Sequence, residues 1–130
     1  MVETELVNDD IAKGFKAIKA LDIDGIDVRS ALWLHVPDVS EYRFVLALPV
    51  VDREGPEAGY RVVQRSFKKH QVELPLRRVS VVETSEPLLR GIHKSVGNVG
   101  PNGDFDSQAR LGPQVINGFV IDDAWIYRSS

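Results

Sequence analysis

DVRSALWLHVPDVSEYRFVLALPVV, residues 27–51, decides how this chain folds. Two runs rich in β-branched and aromatic residues, 27–36 and 42–51, flank the polar connection PDVSE, which is the pattern of two strands joined as a hairpin. Pairing Val36 with Tyr42 sets Trp33 opposite Val45 and Ala31 opposite Ala47 on one face. Leu32, Leu34, Phe44, Leu46 and Leu48 then fall on the other. Because side chains alternate along a strand, both faces of this hairpin are substantially apolar. A single helix layer covers only one of them. The second needs another helix or a second copy of the protein.

The flanking sequence supplies helices. Residues 8–20, NDDIAKGFKAIKA, carry Ile11, Phe15 and Ile18 at i, i+4 and i+7, an apolar stripe, with Lys13, Lys16 and Lys19 facing water. Asn8 or Asp9 is the expected cap, and the acids of the first turn suit the helix dipole. Asp24-Gly25 then makes a turn. Pro56 suits a first helical position, and 57–70 reads as a second helix with Tyr60, Val63 and Phe67 as its buried stripe. Residues 77–83 read as a strand. TSEPLLRGIHKSV reads as a short helix with Ser85 as cap and Pro87 in its first turn. VINGFVIDDAWIYR closes the chain as one or two strands, with a turn at Asn117-Gly118 or at Asp122-Asp123.

The expected order is α-β-β-α-β-α-β-β. It defines one α+β domain over residues 1–130, a mixed, largely antiparallel sheet of 4–5 strands with about three helices, mainly on one side. VRSALWLHVPDVSEYRFVLALPVVDREGP, taken with INGFVIDDAWIYR, resembles small uncharacterised bacterial proteins of this length. The resemblance covers most of the chain and implies no activity.

Composition bounds the function. A chain of 130 residues, 43% hydrophobic and 27% charged, buries a real core. With no cysteine there is no disulfide framework, zinc ribbon or thiol nucleophile. The acidic start MVETELVNDD is unlike a signal peptide, and no apolar run approaches the ~20 residues of a membrane span. A cytoplasmic location without membrane attachment is the expectation. Charge is unevenly spread within a net of −3: residues 1–60 hold 6 Lys/Arg against 12 Asp/Glu, whereas 61–94 hold 8 against 3. That basic middle is either an anion-binding patch or is neutralised by the acidic ends.

The expected chemistries fail their own tests. GNVGPNGDFDSQARLGPQVING, 97–118, has five glycines but no Lys-Ser/Thr pair for a phosphate loop, and Asp104 and Asp106 would repel phosphate. It follows a helix and lacks the Rossmann spacing. Asp104 and Asp106 stand two apart as in a calcium loop, yet Gln108, Arg110 and the absence of a closing Glu break that pattern. A long, mobile surface connection is the expectation, and such loops are often binding elements. His35, His70 and His93 have no metal-ligand spacing; His35 is expected at a surface or edge, His70 at a helix C-terminus. No lysine has an acid two residues before it, as a restriction-type nuclease requires. Ser95 in HKSVG lacks the first glycine of a nucleophile elbow. No metal and no cofactor is expected.

Three readings remain. The first is a non-enzymatic interaction domain, self-associating as a homodimer or binding a protein partner through an apolar sheet face around Trp33 and Val45. Further contacts would come from Asp104 and Asp106 in the glycine-rich loop or from the basic helix. The second is a nucleic-acid-binding protein using the basic segment 61–78, with Arg61, Arg65, Lys68 and Lys69 on neighbouring faces of one helix. The third is a metal-dependent hydrolase or nuclease with carboxylates near Asp52 or Asp122.

Overall fold

Two prolines and a glycine partition the middle of the chain. Pro49 and Pro56 each begin a helix, where proline's missing N–H has no intrahelical partner to lose and its fixed φ is already helical. Gly55, at φ 91°, turns the chain between them. The strand expected over 42–51 therefore stops at Ala47. In the computed structural model, which describes residues 6–100 and 109–130, the order is α1 (Asn8–Ile23), β1 (Ser30–His35), β2 (Arg43–Ala47), α2 (Pro49–Glu54), α3 (Pro56–His70), β3 (Val79–Val82), α4 (Pro87–Val96), β4 (Ala109–Leu111), β5 (Gln114–Ile116), β6 (Phe119–Ile121) and β7 (Asp123–Arg128).

The class is α+β, as expected. A five-stranded mixed sheet runs β3-β2-β1-β7-β4, and β5 with β6 forms a separate two-stranded ribbon. β1 pairs antiparallel with β2 and β7, β4 antiparallel with β7, and β3 parallel with β2 across the α3 crossover. Two cap expectations are corrected. α1 begins after Val7 and α4 after Glu86, neither with a side-chain cap, and Ser85 instead bonds Glu83. Both alternative turns near the C-terminus occur. Asn117 and Gly118 take positive φ between β5 and β6, and the chain breaks again at Asp122 before β7. The 97–118 stretch is also more than a connection, because it carries β4 and β5.

The hairpin register differs from expectation by one residue, and that slip exchanges which side chains share a face. Trp33 lies opposite Phe44 and Ala31 opposite Leu46, so Trp33 joins Phe44, Leu46 and Leu48 in the core beneath α1 and α3. Leu32, Val45 and Ala47 face the other way, toward Leu89 and Ile92 of α4 and Ile116 and Ile121 of the ribbon. Helices thus cover both faces of the sheet, not mainly one. Trp33 is 0% exposed.

α1 is locked onto this first face by polar groups. The Trp33 indole N–H is shared between the Asp10 carbonyl and the Tyr127 hydroxyl, each at 3.1 Å, and that hydroxyl donates to the Ile11 carbonyl at 2.6 Å. The β1–β7 pairing shifts register between Leu32 and Ala31, a bulge at the end of β7. Consecutive strand residues normally point to opposite faces. The bulge lets both Tyr127 and Arg128 reach α1, the arginine by a bidentate pair with Asp22 at 3.0 and 2.8 Å. Gly14 makes room for this contact: a methyl there would overlap the Tyr127 hydroxyl and lie 2.9 Å from the Trp33 nitrogen. Both neighbours are fully buried and have no free space to move into. Gly14→Ala is therefore expected to destabilise the fold by about 1–3 kcal/mol despite alanine's better helix propensity. The check is a lower urea midpoint at unchanged m-value.

Candidate interaction surface

Among the described residues, α4 and the β5–β6 ribbon cover the second sheet face incompletely. Beside them lies a groove of about 260 Å³ between the sheet and the first turn of α4. Leu34, Val36, Val45 and Val82 come from the sheet side, and Leu88 and Leu89 from α4. Arg43 stands at its margin with its guanidinium already donating to Ser80 Oγ at 2.8 Å and to the carbonyls of Arg77 and Val79. Small-molecule pockets run from about 300 to 1,000 Å³ and carry a few free polar groups. This groove is smaller and overwhelmingly apolar, which suits side chains of a protein partner.

The ribbon is the convex counterpart. Its two short strands are joined by Asn117-Gly118 and pair Val115 with Val120 and Ile116 with Phe119. Alternation turns Ile116 and Ile121 inward, where both are buried. Outward it leaves Val115 at 64% and Val120 at 53% exposure, while Phe119, on the same face as Ile116 and Ile121 but at the tip of the ribbon, is 42% exposed. The ribbon is seated on α4 by close approach. A methyl at Gly91 would overlap Ile116 and sit 2.9 Å from Asn117 Nδ2, and that amide donates to the Pro87 carbonyl at 2.7 Å. Ribbon and groove therefore share the first turns of α4.

One sheet edge is closed to pairing. The Tyr60 hydroxyl donates to the Val79 carbonyl at 3.3 Å and accepts from the Val81 N–H at 3.2 Å, occupying the outer edge of β3.

Of the residues singled out in the sequence, Val45 lines the groove, whereas Trp33 is in the opposite core. The basic helix face lies on α3, where Arg61, Arg65, Lys68 and Lys69 are exposed. Much of the basic segment meets acids: Arg61 pairs with Glu57, Lys69 with Asp24, Arg77 with Glu41, and Arg78 with Asp10. Arg78 also lies 4.8 Å over the Trp33 ring. Arg65 and Lys68 have no ion pair among the described residues. Asp104 and Asp106 lie outside the described residues.

The carboxylates of the hydrolase reading hold the fold together. Asp52 accepts both the backbone N–H and the hydroxyl of Thr84, and these bonds lower its pKa. Asp122 faces His35 Nδ1 at 3.2 Å, while His35 Nε2 meets the Val39 carbonyl at 2.7 Å. His35 is thus a buried residue of the central strand and not an edge residue, a correction that follows from the position of β1 in the sheet. Asp123 takes a bidentate pair from Arg110 at 3.0 and 2.7 Å and a 2.5 Å bond from Tyr42. Burial alone would raise the Asp123 carboxyl, but the Arg110 and Tyr42 bonds outweigh it and hold it low. Burial and the Asp123 bond push Tyr42 up to about 12. Among the described residues no three His, Asp or Glu side chains converge to hold a metal ion. No helix among them is long and apolar enough to cross a membrane. Comparison with family models, curated proteins and solved structures finds no match for this chain.

The Asn117-Gly118 hairpin was one of the sequence alternatives, but the ribbon as an interaction element and most of the groove were not singled out. Val115 and Val120 flank the Asn-Gly turn at positions that alternate with Ile116 and Ile121, so the signal was present. Leu34, Val82 and Leu88 share the groove with Val45 only in the observed register.

The ion pairs also set a pH dependence. Asp24, just past α1, accepts from His70 Nε2 at 2.9 Å and Lys69 Nζ at 3.3 Å at the end of α3. The His70 bond is the main cause that brings the Asp24 carboxyl from 3.8 down to about 2. A carboxyl held below its unfolded value stabilises the fold above that value and loses the contribution as pH falls through the folded one. Asp24→Asn is expected to melt below wild type at pH 5, with the gap closing toward pH 2, as measured by thermal denaturation across that range.

Proposed function

We propose that this protein is a non-catalytic interaction domain that self-associates, the β5–β6 ribbon of one copy seating in the α4-side groove of another. The observation that carries this reading is the presence on one chain of a concave apolar groove and a convex apolar ribbon that share the first turns of α4. Two patches side by side on one surface are suited to a two-fold axis between them, because each ribbon then meets the partner's groove. Reciprocity doubles the area removed from water, and stable interfaces bury about 1,200–2,000 Å² in total. Val115 and Val120 form the outward apolar face of the ribbon, and the half-exposed Phe119 adds an aromatic side chain at its tip, of a kind enriched at interfaces. The interaction surface of the sheet is accordingly the α4 side with Val45, not the side with Trp33.

Sedimentation equilibrium tests the proposal. Wild type is expected to dimerise, and Val120→Glu on the ribbon or Leu88→Glu in the groove to give monomers. Each exposed or half-exposed position should leave the urea midpoint nearly unchanged. Mixing the two variants should restore a heterodimer through its one intact ribbon–groove contact. A wild-type chain that stays monomeric at high micromolar concentration, or a dimer indifferent to both substitutions, would sink the reading.

A further inference from the structure

The opposite side of α4 borders a second concavity with different chemistry. A cleft of about 440 Å³ lies between α4 and the ends of the sheet, lined by Ser30, Thr84, Leu89, Arg90, His93 and Lys94, with Ser130 at its margin. Arg90, His93 and Lys94 fall at i, i+3 and i+4, so one helix face delivers three basic side chains to one hollow. No carboxylate side chain among the described residues lines it.

What sets this cluster apart from the unpaired Arg65 and Lys68 of α3 is that its three basic side chains line one cleft. Arg61, Lys69, Arg77 and Arg78 have acidic partners, whereas Arg90 and Lys94 have no ion pair among the described residues. Glu86, four residues before Arg90, lines the apolar groove on the other side of the helix and makes no ion pair with it. Like charges four apart on a helix repel, and a bound anion converts that repulsion into attraction. His93 is oriented for the purpose. Its Nδ1 is 2.9 Å from Ser129 Oγ, which holds the ring and leaves Nε2 without a hydrogen-bond partner among the described residues. Thr84 and Ser130 are committed elsewhere, to Asp52 and to the Arg29 carbonyl. The donors available to a ligand are thus Arg90, Lys94, His93 Nε2 and the Ser30 hydroxyl.

We infer that this cleft binds a phosphorylated small molecule, its phosphate group held by Arg90, His93 and Lys94. The volume lies within the usual range for small-ligand sites. A forked guanidinium beside an ammonium and an imidazole N–H suits the tetrahedral oxygens of a phosphate dianion. The inference is independent of self-association, since it uses the other side of α4.

Isothermal titration with inorganic phosphate, pyrophosphate and a sugar phosphate, paired with NMR of the histidine ring signals, tests it. Saturable binding is expected, strongest for a phosphorylated molecule larger than phosphate itself, with the His93 signals moving along the same isotherm. Arg90→Gln and Lys94→Gln should each weaken affinity roughly tenfold, with sedimentation and the urea midpoint unchanged. Arg65→Gln on α3, an exposed cation outside the cleft, should leave affinity as it was. The inference is overturned if none of the three probes binds saturably at millimolar concentration. It is equally overturned if Arg65→Gln weakens binding as much as the cleft substitutions do. An oligonucleotide that binds with steep salt dependence where the small phosphates do not would also overturn it, by showing a diffuse phosphate surface.

Discussion

The Trp33 indole N–H, held between a helix carbonyl and the Tyr127 hydroxyl, fixes α1 against the central strands of the sheet. Trp33 belongs to the central strand, Tyr127 to its neighbour β7, and the two carbonyls that complete the network to the first turns of α1. A tryptophan and a tyrosine can be buried without penalty only if their polar atoms find partners. The helix carbonyls are those partners, and they are reachable because Gly14 lets α1 approach closely. Burial pushes the Tyr127 phenol up, so it remains a neutral donor at physiological pH. Arg78 closes the margin of the same cluster, stacked over the indole and paired with Asp10.

Once the tryptophan face is sealed in this way, the interaction chemistry moves to the other side of the sheet. There, among the described residues, the cover consists of the ten-residue α4 and a two-stranded ribbon with three residues in each strand. A short helix and a short ribbon cannot blanket a sheet of five strands. Their partial cover leaves an apolar groove on one flank of α4 and a basic cleft on the other. α4 therefore serves as a divider: Leu88 faces the groove, while Arg90 and Lys94 face the cleft.

The uneven charge of the chain has a structural meaning as well. Asp10, Asp24 and Glu41 come from the acidic N-terminal half and meet Arg78, Lys69 and Arg77 from the basic middle. These pairs join segments far apart in sequence and are largely half-exposed, where each contributes only modestly. Their larger effect is on where positive potential remains. With Arg61, Lys69, Arg77 and Arg78 paired, the cations without an ion pair among the described residues include Arg65 and Lys68 on α3 and Arg90 and Lys94 beside the cleft.

Local pattern alone determined the α+β class, the places of α1, α3, β3 and α4 and the hairpin, and it marked Asn117-Gly118 as one of two alternative turns near the C-terminus. Helical stripes, first-turn prolines and an Asn-Gly pair act through neighbours within a few residues, so they are legible without a fold. The strand register was not legible, because a slip of one residue leaves every local preference satisfied and exchanges only which face each side chain occupies. Only the tertiary structure chose the register that buries Trp33 with Phe44 and places Val45 beside α4. It decided, for the same reason, which charges found partners, since Asp24 and His70 or Asp10 and Arg78 meet only when the helices and sheet are packed. The groove and the cleft are products of that packing, shaped by long-range contacts that no short window of sequence contains.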